Sequence, residues 1–396
     1  MRIALLHREY PPNTVYLSTS LLYQRMAKAF VSKGHEVHVI CQSTGAPVDR
    51  EDDHVIVHEV GSDLDRGSAH ARINYSYHAW RKLRRLLSQE GFDIVNAEYF
   101  LSEGLLHSLT KRGTPLVLQV HAWADGWIET TSRLGLCQRK LASCLERLAA
   151  SGADRIIATS KFTSQWLVQK AHLPREKVAV IYEFIDPTQY RPVKPTLRER
   201  LGIPENSRIV LFVAGMETRK GPLILAKAIP HILRQMPETR FVMIGRDTNM
   251  APGGGSMKTH IQHFVESEGF AGNLVLTGMV PMRDVVEAYS ACDVFVYPGL
   301  LEAGGLPPLE AMACNCPVVA SATGISAELS NMSPAFLVIE PGNAIALAEA
   351  ILHLLSLPRH VLRELSAGHR KIVEERFSFE RMVDEILAVY EDVIAR

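Results

Sequence analysis

The stretch YPGLLEAGGLPPLEAMAC, residues 297–314, gives the clearest structural signal in the sequence. It follows an apolar run at 294–296 that predicts a strand, and its second half has the composition of a helix. Two adjacent glycines let the backbone approach a ligand closely, and the two prolines after them fit the first turn of a helix. The stretch therefore predicts a strand, a tight loop and a helix whose free amides could bind phosphate.

Two carboxylates bracket this loop. Glu302 precedes Gly304 and Gly305, and Glu310 lies one turn into the helix that follows Leu306. Both carboxylates can accept hydrogen bonds from sugar hydroxyls. The alternative that this pattern leaves open is an ordinary strand-turn-helix corner with glutamates on the surface.

Short β-branched runs alternate with helical stretches on both sides of the motif, which predicts parallel sheets covered on both faces. The alternation is interrupted at 186–204, where four prolines and many charges are typical of a linker. We therefore expect an α/β chain with two doubly wound, Rossmann-like domains. The predicted strands are 3–6, 37–40, 55–60, 94–97, 116–120, 156–159, 178–181, 208–213, 240–244, 273–276, 294–296 and 317–320.

Length and composition indicate a globular protein of two domains. The 396 residues suit two domains, and 47% hydrophobic with 22% charged residues is ordinary globular composition. The formal net charge is zero, so nothing indicates a nucleic-acid partner. The six cysteines suggest no secreted disulfide framework, and no apolar stretch is long enough to span a membrane. We expect a cytoplasmic protein.

The motif around Glu302 resembles the signature of the retaining nucleotide-sugar glycosyltransferases of family four, which have the GT-B fold. That signature reads Glu-Gly-Phe-Gly-Leu-Pro-x-Leu-Glu-Ala-Met-Ala. The resemblance implies that Glu302 contacts the donor sugar and that Glu310 holds the ribose hydroxyls. It also implies that the amides of Gly305 and Leu306 bind the diphosphate. Gly304 departs from the family's usual residue, which would alter the contact with the sugar.

A second segment, VLFVAGMETRKG at 210–221, resembles the family pattern Gly-Arg-Leu-x-x-x-Lys-Gly. The resemblance implies that Lys220 stabilises the charge of the diphosphate. Gly215 stands where the family has an arginine, and Arg219 is the candidate to compensate for it. Without the resemblance, Arg219 and Lys220 would read as an exposed helix start.

Further resemblances concern a base pocket and a histidine. Gly245, Met279 and Val280 lie in segments similar to those that line the family's base pocket, although ordinary strand ends would look the same. His121 follows a predicted strand, as the family's active-site histidine does, and it would orient donor sugar and acceptor. A lone histidine is otherwise more often structural.

The resemblance implies two domains that face each other across a cleft. The N-terminal domain, 1–185, would be on the acceptor side, and 186–377 would bind the nucleotide sugar, with the helix at 378–396 packing back on the first domain. The implied activity is retaining, metal-independent transfer to a hydroxyl of a glycan, a lipid-linked molecule or a small molecule, without a cofactor. A non-catalytic sugar-nucleotide-binding scaffold and a nucleotide-sugar epimerase are the alternatives.

One predicted helix carries a basic cluster of four residues. Its predicted apolar face consists of Ile73, Tyr77, Trp80, Leu83 and Leu87. The cluster indicates either a solvated helix or a peripheral contact with anionic lipid or an acidic glycan. On the second interpretation the protein would be peripheral on the inner face of the membrane. The basic residues are Arg81, Lys82, Arg84 and Arg85.

Overall fold

The computed structural model describes residues 1–12, 17–43, 45–61, 69–99, 103–111, 113–127 and 133–396. These residues form two compact units. The first unit consists of Met1–Ile181 with Met382–Arg396, and the second consists of Tyr182–Arg381.

The first unit contains an eight-stranded sheet in the order β3-β4-β2-β1-β5-β6-β7-β8. Its strands pair in parallel except β3, which is an antiparallel edge strand. The central strands are buried because helices cover the sheet. The strands are β1 (Arg2–Leu6), β2 (Glu36–Gln42), β3 (Val48–Asp52), β4 (Val55–Val60), β5 (Ile94–Glu98), β6 (Leu116–Val120), β7 (Arg155–Ala158) and β8 (Val178–Val180).

Helices connect these strands. Ser160 caps one of them by accepting a hydrogen bond from the Thr163 amide, which satisfies a donor that the helix leaves free. The helices are α1 (Leu17–Ser32), α2 (Ala69–Gln89), α3 (Leu105–Thr110), α4 (Ala124–Trp127), α5 (Arg133–Gly152) and α6 (Lys161–Gln169).

The second unit contains a six-stranded sheet in the order β11-β10-β9-β12-β13-β14, and all of its pairings are parallel. Since parallel strands end at the same edge, the loops after β9, β10, β11 and β12 gather at one edge of the sheet. The strands are β9 (Ile209–Val213), β10 (Arg240–Ile244), β11 (Leu274–Gly278), β12 (Val294–Tyr297), β13 (Val318–Ser321) and β14 (Phe336–Ile339).

Ten further helices complete the chain. The last one, α16, places Tyr390 against Phe30 of α1, with 5.8 Å between ring centroids. These helices are α7 (Leu197–Leu201), α8 (Pro222–Leu233), α9 (Met257–Ser267), α10 (Met282–Ala291), α11 (Leu306–Ala313), α12 (Ser326–Leu329), α13 (Ala344–Ser356), α14 (Arg359–Ser366), α15 (His369–Arg376) and α16 (Phe379–Ile394).

The structure corrects one prediction about α2. Ile73 is 70% exposed and Tyr77 is 48% exposed, so the predicted apolar face is wrong at these positions. The buried face is instead formed by Tyr75, Ala79 and Leu83 together with Leu86. Apolar residues recur on two sides of this helix, and the sequence pattern alone does not show which side packs on the sheet.

The proline-rich segment 186–204 is more ordered than its composition indicates. It contains α7 and contributes three buried side chains, Tyr190, Leu197 and Ile203, to the core of the second unit. Among the described residues, no single helix is long and apolar enough to cross a membrane; only α13 combined with the segment Arg359–Ile394, at an angle of 107°, reaches that length and composition.

Candidate functional site

The loop after β12 positions the first group of predicted residues. Gly305 has φ of +92°, a left-handed conformation that glycine adopts without strain, and α11 begins immediately after it at Leu306. The amide of Ile325 donates to the carbonyl of Gly304 at 2.7 Å, which fixes the loop. The free amides at the start of α11 therefore lie next to Glu302, as the motif predicts.

The Glu302 carboxylate lies in a cluster with two cations and a phenol. Its Oε1 is 2.5 Å from Lys220 Nζ and 3.2 Å from Arg219 Nη1, and it accepts a hydrogen bond from the Tyr297 hydroxyl at 2.9 Å. Lys220 Nζ also donates to the Tyr297 hydroxyl at 2.8 Å. Glu302 is buried, so these contacts act in a medium of low dielectric. Arg219 Nη2 also lies 2.7 Å from Glu217 Oε2. Two cations beside a helix start form a site that can bind a polyanion.

Backbone contacts join the loop that carries Lys220 to the loop that carries Glu302. The Leu300 amide donates to the Arg219 carbonyl at 2.7 Å. Gly221, which has φ of +75°, lies so close to Pro298 that a Cβ at this position would overlap the Pro298 carbonyl oxygen. The two segments therefore hold each other in place.

Glu310 is held by two tyrosines. Tyr190 donates to its Oε1 at 3.0 Å and Tyr289 donates to its Oε2 at 2.8 Å. Burial raises the pKa of Glu310, while the two phenol hydrogen bonds act in the opposite direction. A carboxylate accepts about four hydrogen bonds, so Glu310 can also accept from a ligand hydroxyl.

The three residues of the predicted base pocket follow adjacent strands. Gly245 follows β10 and donates its amide to the carbonyl of Gly278, the last residue of β11, at 3.0 Å. A Cβ at Gly245 would overlap the Ala214 carbonyl oxygen, so no side chain fits there. Met279 is exposed and Val280 is half-buried, directly after β11.

In the first unit, His121 follows β6 and pairs with Glu98, the last residue of β5. Its Nδ1 lies 2.7 Å from Glu98 Oε2. His7, which follows β1, contacts the ring of Tyr23 with 3.8 Å between ring centroids and 33° between the ring planes. Burial lowers the pKa of His7 to about 4. Burial raises the pKa of the neighbouring Glu103 to about 8. Three strand-end residues, His7, Glu98 and His121, thus contribute to a polar group at the carboxyl edge of the sheet.

Several residues in these clusters were not predicted from the sequence. His7 and Glu98 could have been found, because each directly follows a predicted strand, as His121 does; the strand before Glu98, β5, pairs with both β1 and β6. Tyr297 opens the quoted motif, but nothing in the sequence shows that it bonds both Lys220 and Glu302. Tyr190 lies in the segment whose composition suggests a linker.

Among the described residues, one group could hold a metal ion: Glu36, His38 and Glu90. Glu36 begins β2, so this group lies at the edge of the sheet opposite to His121. Arg2 Nε lies 2.9 Å from Glu36 Oε1 and neutralises it. The group is therefore remote from the polar residues that follow the strands.

Comparison with known proteins gives the family. The family models "Glycosyltransferase Family 4" and "Glycosyl transferases group 1" match residues 22–189 and 193–371. The chain is 28% identical to the D-inositol 3-phosphate glycosyltransferase of Segniliparus rotundus, over 78% of this chain and 68% of that protein.

Two solved structures share the fold over almost the whole chain. Sucrose-phosphate synthase from Thermosynechococcus elongatus gives a TM-score of 0.79 at 20% identity, covering 100% of this chain and 99% of that one. Anabaena HepE, in a complex with UDP and glucose, gives a TM-score of 0.72 at 20% identity, covering 99% and 100%.

The fold and the family matches define a glycosyltransferase of the GT-B fold that takes its sugar from a nucleotide-sugar donor. The chain belongs to glycosyltransferase family four.

Proposed function

We propose that the chain transfers the sugar with retention of the anomeric configuration and without a metal ion, using the second unit for the donor and the first for the acceptor. The observation that carries the proposal is the contact of both Arg219 and Lys220 with Glu302 at the start of α11. Two fixed cations and free helix amides can stabilise a leaving diphosphate, which is the task that a divalent metal performs in other transferases.

The proposed reaction breaks the bond between the anomeric carbon and the diphosphate oxygen. The electron pair leaves with the nucleoside diphosphate, whose charge Lys220, Arg219 and the amides of Gly305 and Leu306 stabilise. Arg219 takes the role of the family arginine that Gly215 replaces. The acceptor hydroxyl attacks from the face that the diphosphate leaves, and its proton passes to the departing phosphate oxygen. Glu302 binds the sugar and favours its cation-like transition state.

The residues that contact the ribose, the base and the acceptor hydroxyl are assigned from the geometry within each unit. Glu310, fixed by its tyrosines, accepts from the ribose hydroxyls, while the backbone at Gly245, Met279 and Val280 contacts the base. HepE binds UDP, so UDP is the first nucleotide to try. In the first unit, Glu98 orients the imidazole of His121, which positions the acceptor hydroxyl.

The acceptor is a hydroxyl of a glycan, a lipid-linked molecule or a small molecule. Arg81, Arg84 and Arg85 are exposed on α2, which supports a peripheral contact with an anionic membrane, whereas Lys82 is occupied by a 2.8 Å ion pair with Asp49. We also propose that the protein resides in the cytoplasm, in line with six cysteines whose positions suggest no secreted disulfide framework.

Thermal unfolding with added nucleotides tests the donor site. UDP, GDP, ADP and dTDP and their common sugar conjugates are added to the wild type and to Lys220→Ala, with and without EDTA. We expect one nucleotide to stabilise the wild type, by about 2.7 kcal/mol at about 100 times its Kd. Lys220→Ala should show a smaller shift, and EDTA should change neither.

Two outcomes would contradict the proposal. If EDTA abolished the stabilisation by nucleotide, a metal ion would be required for binding. If no nucleotide stabilised the protein, the proposed donor site would be wrong. Retention is tested separately, by the anomeric proton coupling of the first-formed product in NMR. A product of inverted configuration would exclude front-face attack.

Replacing Tyr289 by phenylalanine tests the role of Glu310. The change removes one hydrogen bond to a carboxylate, which is worth about 1.5–3 kcal/mol, and leaves the ring in place. We expect the donor KM and the Kd of the nucleoside diphosphate to rise about tenfold while kcat changes less than about twofold. Tyr182→Phe is the matched control, because the Tyr182 hydroxyl donates to Glu328 at 2.6 Å instead. An unchanged KM, or an equal rise in the control, would show that Tyr289 does not position the ribose site.

A further inference from the structure

The outward face of α5 carries an apolar stripe. Leu134, Leu141 and Leu148 are seven residues apart, so they lie nearly along one line of the helix, and Leu145 is beside them. Leu134 is 71% exposed and Leu141 is 61% exposed, and the other two leucines are also exposed. The exposed cysteines Cys137 and Cys144 fill the intervening positions.

The opposite face of α5 accounts for its packing. Ser143, Ala149 and Ala150 are buried, and the buried Glu146 accepts hydrogen bonds from the Ala124 amide at 3.0 and 3.1 Å. Small side chains and a satisfied carboxylate therefore hold the helix to the first unit, and the leucines are not needed for this contact. Four exposed leucines on one helix are more than the scattered apolar residues of an ordinary surface.

The surroundings of the leucines are basic. Lys140 and Arg147 are exposed on α5, and Glu146 is the helix's one acidic residue and is buried. The neighbouring Asp125 of α4 is partly exposed, and its Oδ2 lies 3.5 Å from Arg147 Nη2. α3 packs against both α5 and α2, so the three helices lie side by side. α3 adds the exposed Leu109, and α2, which has no acidic residue, adds the exposed Arg81, Arg84 and Arg85. In the described residues of these three helices, no acidic side chain is exposed.

Two partners could cover the leucine face of α5, a second copy of the chain or a lipid bilayer, and the charges on this face favour the bilayer. Leucines spaced by seven with cysteines between them could pair with the same stripe of a second copy. In such a pair, however, the exposed charged residues of both α5 helices, Lys140 and Arg147, would be basic, and like charges oppose association. An anionic bilayer complements both features, because its headgroups attract the basic side chains and its acyl region accepts the leucines.

We propose that α5, together with α2 and α3, docks the enzyme on the surface of an anionic lipid bilayer. The leucine stripe inserts at the boundary between headgroups and acyl chains, and Lys140, Arg147 and the arginines of α2 contact the headgroups. The proposal extends, and in part rests on, the peripheral contact proposed above for α2. It does not depend on the donor chemistry of the second unit.

Vesicle co-sedimentation of the full chain tests the proposal. The vesicles are phosphatidylcholine alone or phosphatidylcholine mixed with phosphatidylglycerol, at low and high salt. We expect binding to the mixed vesicles, weakening at high salt. The double variant Leu141→Ser with Leu148→Ser should lose at least about tenfold in binding, because each insertion buries a leucine side chain. Arg84→Gln with Arg85→Gln should weaken binding and reduce its salt dependence.

The matched control is Ile345→Ser, since Ile345 is 58% exposed on α13 of the second unit. We expect its vesicle binding to equal that of the wild type. All variants should keep the wild-type unfolding temperature and its shift with nucleotide. A nucleotide shift that is absent while vesicle binding persists would contradict the donor site and leave the docking face intact.

Three outcomes would overturn the proposal: no vesicle binding, equal binding to neutral and anionic vesicles, or an unchanged affinity in the leucine variant. A fourth would assign the stripe to self-association instead. In that case the mass measured by light scattering would double, copper phenanthroline would cross-link Cys137 or Cys144 between chains, and the leucine variant would abolish both effects.

Discussion

Replacing Glu302 by alanine should lower kcat by about 10²–10³-fold, because contacts to the sugar that strengthen in the transition state are worth several kcal/mol. The nucleoside diphosphate should bind as tightly as before, or more tightly. Glu302 Oε1 is the point at which Arg219, Lys220 and the Tyr297 hydroxyl converge. Without this carboxylate, the two cations lose a neutralising partner and attract the diphosphate more strongly.

Single-turnover transfer and nucleotide titration on the same preparation separate the two effects. Glu302→Gln keeps the size and an acceptor for Tyr297 and removes the charge, so its kcat should lie between those of alanine and the wild type. Glu217→Gln is the matched control. Glu217 Oε2 lies 2.7 Å from Arg219 Nη2, so this change also removes a carboxylate near Arg219, but not the one assigned to the sugar. If Glu302→Ala turned over like the wild type, or if Glu217→Gln were as impaired, Glu302 would not be the sugar-binding carboxylate.

Apolar runs are sufficient to predict most of the fold. The strands Leu116–Val120 and Arg240–Ile244 begin and end where the sequence predicts, and the last helix, Phe379–Ile394, lies within the predicted range 378–396. The strand Val48–Asp52 was not predicted, because four of its five residues are charged. Its antiparallel pairing with β4 accounts for its conformation. β14 at the far edge of the second sheet was also not predicted.

The arrangement of the candidate site was predictable where its residues are contiguous in the chain. Glu302, Gly305 and Leu306 lie in one motif, and their mutual positions follow from a strand, a turn and a helix. The tyrosines on Glu310 were not predictable, because Tyr190 and Tyr289 are far apart in sequence and reach the carboxylate only through tertiary packing. Composition cannot reveal that the segment 186–204 folds onto the second unit.

Gly221→Ala should be a severely damaging substitution in the second unit. Alanine at φ of +75° costs about 1–2 kcal/mol by itself. Its Cβ would also overlap the carbonyl of Pro298, a backbone group that can move only with the loop leading to Glu302. We expect the free energy of unfolding of the second unit to fall by about 3 kcal/mol or more. Transfer should be lost in the protein that remains folded, because Lys220 and Glu302 are displaced together.

Gly202→Ala separates the effect of backbone strain from the effect of the overlap between the new Cβ and Pro298. Gly202 also has a positive φ, +61°, but a Cβ there would meet no atom within 4 Å. Gly202→Ala should therefore lower the free energy of unfolding only by the backbone strain of about 1–2 kcal/mol and leave transfer unchanged. Because two units need not unfold together, the relevant urea transition is the one that nucleotide shifts. Equal losses in both variants would mean that strain alone acts at Gly221. A larger loss of unfolding free energy in Gly221→Ala, accompanied by loss of transfer, would show that the contact of Gly221 with Pro298 keeps Lys220 and Glu302 in their relative positions.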